Sequence, residues 1–150
     1  LMPVITQSAD ADAITTGIVA LYSRLEVVTE AQLARVYDAG VVFRDPIHQL
    51  TGIPALCAYL NKSSRGLSSC RFEFLDISSG ADSSWMRWNM HYSHPRLKRG
   101  AMLLLEGTSL LQYREKIVFQ QDYYDMGAML YEHLPVLGSA ITALKRRMAR

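Results

Sequence analysis

The period of the hydrophobic residues changes near residue 70, and this change constrains the fold more than any other feature of the chain. Before it, apolar residues recur at helical spacing, and the first helix carries one stripe made of Ile14, Ile18, Leu21 and Leu25. After it, apolar and polar residues alternate, which predicts four strands over residues 70–77, 84–92, 101–113 and 116–125. The chain closes with a leucine-rich helical segment. This order predicts an α+β fold whose helices cover one face of a mostly antiparallel sheet.

Local signals complete the predicted order of elements. The run Thr29-Glu30-Ala31-Gln32 has the form of a capping box and predicts a short second helix that continues through Tyr37 and ends at Gly40. A short strand over residues 41–45 follows, and a third helix begins after Gly52. The strand over 101–113 is much longer than the ~5–6 residues that are typical, which predicts a strongly curved sheet. We therefore expect a cone-shaped sheet wrapped around the N-terminal helices, with a pocket at its mouth and a C-terminal helix.

Composition limits the class of protein. The 150 residues are 49% hydrophobic and 20% charged, which favours one domain over 1–150. Within this domain we expect a flexible start at 1–8 and a helical extension over 128–150. A net charge of +2 argues against a nucleic-acid binder, and no apolar run approaches the ~18 residues of a membrane span. Two cysteines and no recognisable export signal favour the cytoplasm. Phosphate-binding glycine loops and Cys-x-x-Cys or His-Glu-x-x-His motifs are missing, so we expect neither an organic cofactor nor a metal.

One segment carries a family resemblance. Residues 41–48 form the run Val-Val-Phe-Arg-Asp-Pro-Ile-His, and Thr51-Gly52 follows at a helix start. This pattern resembles the nuclear transport factor 2-like superfamily, which includes ketosteroid isomerases and SnoaL-like polyketide cyclases. The chain is most similar to uncharacterised bacterial SnoaL-like proteins, through Trp88-x-Met90, Glu106-Gly107-x-Ser109 and residues 130–138. The resemblance spans essentially the whole chain and implies a cystatin-like cone, a small hydrophobic ligand and a homodimer formed through the outer sheet surface.

The resemblance also implies roles for particular residues. Asp45 matches the general base of the isomerases, and Tyr22 lies at nearly the spacing of their oxyanion donor. Their second donor is a carboxylic acid on the strand that matches 101–113, where this chain has no aspartate and where Glu106, Thr108 and Ser109 are the polar candidates. A tryptophan that lines the isomerase pocket matches Tyr124.

Each of these residues also has a structural interpretation. Asp45 could abstract a proton next to a carbonyl group if a dry pocket raises its pKa, or it could form the turn that ends a strand. Tyr22 could stabilise an enolate, or it could be an ordinary core tyrosine. His48 follows the Asp-Pro step and could act as an acid, a base or a gate, or it could be a solvated loop histidine.

The later strands add further candidates. Asp122 shares a strand face with Gln120 and Tyr124, which favours a second acid/base or a salt bridge at the pocket rim. Glu106 lies among apolar residues, so we expect it to be paired with Arg87 or Arg44, or else to titrate abnormally. The predicted ligand-binding side chains are Phe43, Trp88, Met90, Glu106 and Tyr124, of which Trp88 and Met90 could instead belong to the core or to a dimer contact.

Two functions follow from these candidates. The first is a small-molecule-binding domain that transfers a proton on a hydrophobic carbonyl compound, by isomerisation, cyclisation or dehydration, without a cofactor. The second is a non-catalytic module for ligand binding, protein interaction or dimerisation. A cavity of roughly 300 Å3 or more shared by Asp45 and Asp122 favours the first function. A solvent-exposed Asp45 beside a cavity filled by Trp88 and Tyr124 favours the second. The basic residues at 145–150 cap the last helix or contact anionic lipid.

Overall fold

The computed structural model describes residues 9–23, 27–129 and 135–149. Within these ranges the helices are α1 (Ala9–Tyr22), α2 (Glu30–Ala34), α3 (Ile53–Arg65), α4 (Met126–Met129) and α5 (Pro135–Met148), with a short 3-10 turn over Lys98–Gly100. The strands are β1 (Tyr37–Arg44), β2 (Gln49–Thr51), β3 (Ser69–Ser79), β4 (Ser83–Ser93), β5 (Leu103–Tyr113) and β6 (Ile117–Tyr124). None of the helices in these ranges is long and apolar enough to cross a bilayer.

The six strands form one open sheet in the order β2-β1-β6-β5-β4-β3. Strands β3 to β6 follow one another as an antiparallel meander, and β1 pairs with β6 in parallel. Register shifts interrupt the pairing of β3 with β4 near Phe74 and the pairing of β5 with β6 near Gln112, and bulges of this kind bend a strand and increase its twist. The predicted α+β architecture with a curved, mostly antiparallel sheet and N-terminal helices is confirmed.

Helices α1, α2 and α3 cover the inner face of the sheet. Ile14 and Ile18 of the predicted stripe on α1 are buried in the main core, together with Leu33 of α2 and Leu56 of α3. Leu25 lies outside the described residues, as do residues 1–8. A second buried cluster, at the other end of β4 and β5, consists of Trp88, Tyr92, Leu97 and Leu105. The candidate site lies where this second cluster meets the helices.

Two local predictions near the helix starts are confirmed. Thr29 and Gln32 form the capping box, because the Thr29 hydroxyl accepts from the Gln32 amide at 3.2 Å and the Gln32 side chain accepts from the Thr29 amide at 2.9 Å. Gly52 has a φ of +90° immediately before α3, a conformation that L side chains rarely adopt, and Pro54 follows in the first turn. These signals place the start of α3 beside the end of β1.

Other predictions about elements are wrong or lie outside the described residues. Helix α2 ends at Ala34 and not near Gly40, because Tyr37 already belongs to β1 and pairs with Ile117 of β6. Strand pairing across the sheet therefore prevails over the local helical pattern. Strand β2 was not predicted. The end of the predicted C-terminal extension is helical from Pro135 onwards, while residues 130–134 lie outside the described part.

Candidate functional site

A cavity of about 230 Å3 lies between the inner face of the sheet and helices α1 and α3. Its volume is below the ~300–1,000 Å3 of pockets for drug-sized ligands, and therefore below the size expected above for a pocket shared by Asp45 and Asp122, so only a small molecule fits. Aromatic side chains dominate the described part of the wall: Tyr22, Phe43, Tyr59, Phe72, Trp88, Tyr92 and Tyr124. The remaining lining includes Met90, Cys70, His94 and one carboxylate, that of Asp122.

The aromatic rings of the wall hold one another in place. Phe72 meets Trp88 edge-on at 5.3 Å between ring centroids and meets Tyr22 in the same way at 5.5 Å. Trp88 in turn lies 6.3 Å from the ring of Tyr124. These separations fall within the ~4.5–7 Å at which aromatic pairs attract each other. Trp88 and Met90 line the cavity, and Trp88 is at the same time a core residue.

Asp122 is the carboxylate of the cavity wall. Its Oδ1 accepts a hydrogen bond from the Ser109 hydroxyl at 2.6 Å and another from Gln120 Nε2 at 3.0 Å. Burial raises the pKa of Asp122 to about 6, against the two hydrogen bonds that lower it, and the charge of Asp45 adds to the rise. A carboxyl group with a pKa near neutrality can both take up and return a proton at the pH of a cell.

A buried polar cluster supports Asp122 from below. Gln120 is only 2% exposed, accepts from the Tyr37 hydroxyl at 2.5 Å and donates to the Tyr22 hydroxyl at 3.2 Å. Because the single proton of Tyr37 goes to Gln120, the 3.3 Å contact between the two tyrosines requires Tyr22 as its donor. Burial, together with the nearby charge of Asp122, raises the pKa of Tyr22. The structure thus brings Tyr22 to the cavity but directs its proton to Tyr37.

Asp45 lies behind the cavity wall and is not among the lining residues. Its Oδ1 accepts from the backbone amides of Ile47 at 2.8 Å and His48 at 2.6 Å, and its Oδ2 accepts from the Tyr59 hydroxyl. Partial burial opposes ionisation of Asp45, but these hydrogen bonds, with a smaller effect of His48, outweigh it and lower its pKa. The raised pKa that a role as direct base requires is therefore found at Asp122 and not at Asp45.

His48 lies on the solvent side of Asp45. Its Nδ1 is 3.4 Å from Asp45 Oδ1, its ring is 4.9 Å from the Tyr59 ring, and its side chain is 44% exposed. Asp45 itself has a side-chain exposure of 1%. The order from the cavity outward is therefore Tyr59, Asp45 and His48.

Tyr59 is a wall residue that sequence reasoning missed. It comes from α3, its ring contacts Phe43 at 5.4 Å, and its hydroxyl joins the cavity to Asp45. Burial and the hydrogen bond to Asp45 raise its pKa. No local motif links Tyr59 to the Asp-Pro step, since their contact arises only when α3 packs against β1.

Ser109 was one of the three polar candidates on the strand over 101–113, whereas His94 was not predicted at the site. Ser109 connects Trp88 Nε1, which donates to it at 2.9 Å, with Asp122. His94 lines the cavity, and its Nδ1 accepts from the Arg96 amide at 3.0 Å. Within the described residues, no group of three His, Cys, Asp or Glu side chains is placed to hold a metal ion.

The structure does not bring Glu106 to the cavity. This residue is exposed on the outer face of β5, opposite Asn89 of β4, whereas the neighbouring inward positions are Leu105 and Gly107. Arg87, one of its two expected partners, pairs with Asp76 at 2.7 Å instead. The apolar residues that share the strand face of Glu106 belong to the outer surface of the sheet.

Comparison with solved structures shows the same fold in many proteins of low sequence identity. A protein from Jannaschia sp. CCS1, assigned to the SnoaL-like polyketide cyclases, aligns with a TM-score of 0.72 at 10% identity, over 83% of this chain and 93% of that chain. A protein from Catenulispora acidiphila DSM 44928 with a ketosteroid isomerase-like fold, in complex with trimethylamine, gives 0.69 at 17% identity, over 81% and 93%. AclR from Streptomyces galilaeus, assigned as a hydroxylase, gives 0.67 at 15% identity, over 85% and 98%.

These identities show the fold alone, and the two of these proteins that carry an assigned activity, a polyketide cyclase and a hydroxylase, differ in chemistry. No curated protein matches the chain in sequence. The family model of the SnoaL-like domain matches residues 18–119, which include α2, α3, β1 to β5 and part of α1. This match covers more than half of the chain, and the chain therefore belongs to the SnoaL-like domain family.

Proposed function

We propose that this chain binds a small, largely apolar carbonyl compound in the cavity and moves a proton on it, with Asp122 as the acid/base. The observation that carries the proposal is the position of Asp122: one carboxyl group with a pKa of about 6 in a wall of aromatic rings. A relative with this fold, in complex with trimethylamine, supports binding of a small molecule by such a domain.

The reaction needs no group beyond the chain itself. Asp122 takes the proton from the carbon next to the carbonyl group, and the electron pair of the broken C–H bond moves into an enolate. The protonated Asp122 then returns the proton to another carbon or to a leaving hydroxyl, which gives isomerisation or dehydration. Attack of the enolate on a second carbonyl group gives cyclisation instead. General acid–base transfer of this kind contributes ~10²–10⁴-fold to a rate.

Asp45 has a supporting role in this proposal. It remains ionised because of its hydrogen bonds, and its charge helps to raise the pKa of Asp122. It also holds the hydroxyl of Tyr59 in the wall. His48, on the solvent side, lies 3.4 Å from Asp45 and helps to keep it ionised. Tyr22 acts through the polar cluster that carries Asp122.

Exchange of carbon-bound hydrogen tests the proposal without knowledge of the natural substrate. A panel of small aryl and cyclic ketones in D2O is followed by NMR for deuterium uptake next to the carbonyl group. We expect catalysed exchange whose rate increases with pH through about 6 and then levels. Asp122→Asn should lower it by ~10²–10⁴-fold. Asp76→Asn, which changes an exposed carboxylate on the outer face, is the matched control. Unchanged exchange in Asp122→Asn would contradict the assignment.

The outer face of the sheet supports a second proposal, that two copies of the chain associate there. Trp85, Leu104 and Tyr123 are 47%, 50% and 45% exposed, and the rings of Trp85 and Tyr123 lie 6.1 Å apart. Asn89 Oδ1 is buried on this face with no hydrogen-bond partner among the described residues. Exposed apolar side chains on one sheet face, two of them with rings in contact, favour an interaction surface.

Sedimentation at micromolar concentration tests this association. We expect a dimer for the unaltered chain and a monomer for Leu104→Glu, with Val27→Glu as the control at an exposed apolar residue elsewhere. A monomeric unaltered chain would overturn the proposal. The proposed cellular setting is the cytoplasm, which suits the two free thiols of Cys57 and Cys70.

A further inference from the structure

The hydrogen bonds of the cavity wall specify which kind of ligand it accepts. We infer that the ligand of this cavity is held through a hydrogen-bond donor of its own, a hydroxyl or an amine N–H, directed at Asp122 Oδ2. The inference rests on the proposed function, since it concerns the same cavity and the same carboxylate. It adds the polarity of the group that meets Asp122, which follows from where the protons of the wall are directed.

The hydrogen-bond donors on the β4 side of the cavity donate to other groups of the protein. Trp88 Nε1 donates to the Ser109 hydroxyl at 2.9 Å, and Ser109 donates its own proton to Asp122 at 2.6 Å. The Tyr92 hydroxyl donates to the backbone carbonyl of Met129 at 2.6 Å. Each of these groups has one proton, so none remains for a ligand.

The tyrosine hydroxyls on the α1 and α3 sides of the cavity are committed in the same way. Tyr59 donates to Asp45, and Tyr22 donates to Tyr37 because the proton of Tyr37 is held by Gln120. These hydroxyls have lone pairs, but no proton, to offer to a ligand.

Tyr124 completes the ring of hydroxyls. Burial, followed by the charges of Asp45 and Asp122, raises its pKa, and a hydrogen bond to Asp45 adds to the rise while one with Tyr59 lowers it. Its hydroxyl therefore keeps its proton at neutral pH. Among the described wall residues, His94 Nε2 is the nitrogen with a proton to spare, because His94 Nδ1 accepts from the Arg96 amide.

Asp122 offers the complementary acceptor. Both of its hydrogen bonds fall on Oδ1, and none from the described residues falls on Oδ2. A carboxylate oxygen at a largely apolar wall is poorly solvated, so a ligand that cannot donate to it leaves it unpaired. Sites of this kind discriminate strongly against analogues that lack the donor. The cavity therefore favours an alcohol, a phenol or an amine over an ether or a carboxylate. Among carbonyl compounds, it favours those that also carry a hydroxyl group or an amine N–H, or that present their enol form, over simple ketones.

Matched benzene derivatives test the inference by calorimetric titration. Phenol has a hydroxyl donor that its methyl ether, anisole, lacks. Acetophenone offers only an acceptor, benzoate carries a negative charge, and benzylammonium has a cationic N–H donor. We expect phenol or benzylammonium to bind at least ~10-fold more tightly than anisole, acetophenone and benzoate. Preference for phenol identifies a neutral donor as the natural partner, and preference for benzylammonium identifies a cation.

Asp122→Asn reverses the expected preference. The side-chain oxygen of the variant amide keeps the two donors, Ser109 and Gln120, so its NH2 group occupies the place of Oδ2 and offers a proton to the cavity. Acetophenone and anisole should then bind more tightly than phenol. Asp76→Asn should keep the original order. Equal binding of phenol and anisole by the unaltered chain, or no change of order in Asp122→Asn, would overturn the inference.

These outcomes separate the inference from the proposed function. Donor preference together with no deuterium exchange in any ketone means that the inference holds and the proposed catalysis fails. Exchange in ketones without a hydroxyl group, together with equal binding of phenol and anisole, means that catalysis holds and the inference fails.

Discussion

Asp45 and Asp122 are the same side chain in two environments about the same cavity, and they differ in nearly every property. Asp45 ends a strand, accepts from two backbone amides and a tyrosine, and has a lowered pKa. Asp122 lies in the middle of the sheet, where burial raises its pKa to about 6. The pKa of each carboxyl group therefore depends on the balance of the two effects: burial outweighs two hydrogen bonds at Asp122, and three hydrogen bonds outweigh partial burial at Asp45.

We expect the largest effect from a substitution on the Asp122 side of the cavity, which leaves the surroundings of Asp45 intact. A Cβ added to Gly107 would lie 2.3–2.8 Å from the indole of Trp88, which is buried and bonded to Ser109. Gly107→Ala should therefore lower the free energy of unfolding by ~3 kcal/mol or more, measured by urea denaturation.

The control for this variant is Gly40→Ala. Its new Cβ would have the Asp38 carboxylate at 3.5 Å as its nearest contact, an ordinary separation. We expect a change in unfolding free energy within about 1 kcal/mol. A comparable loss in both variants would show that the space against Trp88 is not the cause.

The second effect is a gain in stability from Asp122→Asn, whereas most substitutions at a buried site lower the free energy of unfolding. The folded-state pKa of Asp122 is raised, so the stability linked to this group is fully present below its usual pKa of 3.8 and is lost as pH increases through about 6. Asp122→Asn removes this penalty and should stabilise the protein by about 2–3 kcal/mol at pH 8, with no gain near pH 3. Urea denaturation at both pH values measures it. Destabilisation at pH 8 would contradict the raised pKa.

The third effect is a loss of stability from Asp45→Asn, opposite in sign to the effect of Asp122→Asn. The folded-state pKa of Asp45 is lowered, so its contribution is present above the usual 3.8 and is lost as pH falls through the lower folded value. Asp45→Asn should destabilise the protein by ~1.5–3 kcal/mol at pH 7, as expected for loss of a hydrogen bond to a charged acceptor. The loss should shrink at pH 3. Stabilisation at pH 7 would contradict the comparison of the two carboxylates.

The smallest effect concerns His48. Its side chain is largely exposed and its Nδ1 is 3.4 Å from Asp45, while the bond from its backbone amide does not depend on the side chain. His48→Gln should change the unfolding free energy by less than ~0.5 kcal/mol and raise the pKa of Asp45 slightly. Stability is measured by urea denaturation and the pKa by NMR. A loss of about 2 kcal/mol or more would assign His48 a structural role.

The strands and the helix starts were predictable because their signals are local. Alternation over β4 to β6 depends on neighbouring residues, and the capping box of Thr29 and Gln32 is complete within four positions. Tyr37 was misassigned because its strand conformation depends on pairing with Ile117, which is far away in the sequence. Local propensity cannot include a partner of this kind.

The candidate site was predictable only in part. The shared face of Gln120, Asp122 and Tyr124 follows from the two-residue period of a strand. The same period grouped Glu106 with apolar residues but could not tell the inner from the outer face, and Leu104 is in fact exposed. The contact of Tyr59 with Asp45 depends on how α3 packs, which no spacing in the sequence specifies.

The most direct test of the account is a titration of the aspartate carboxyl carbons by NMR, with Asp122→Asn and Asp45→Asn used to assign the two signals. We expect the Asp122 carboxyl group to titrate near pH 6 and that of Asp45 to titrate below pH 3.8. A pKa of Asp122 at or below 3.8, or a pKa of Asp45 above that of Asp122, would contradict it.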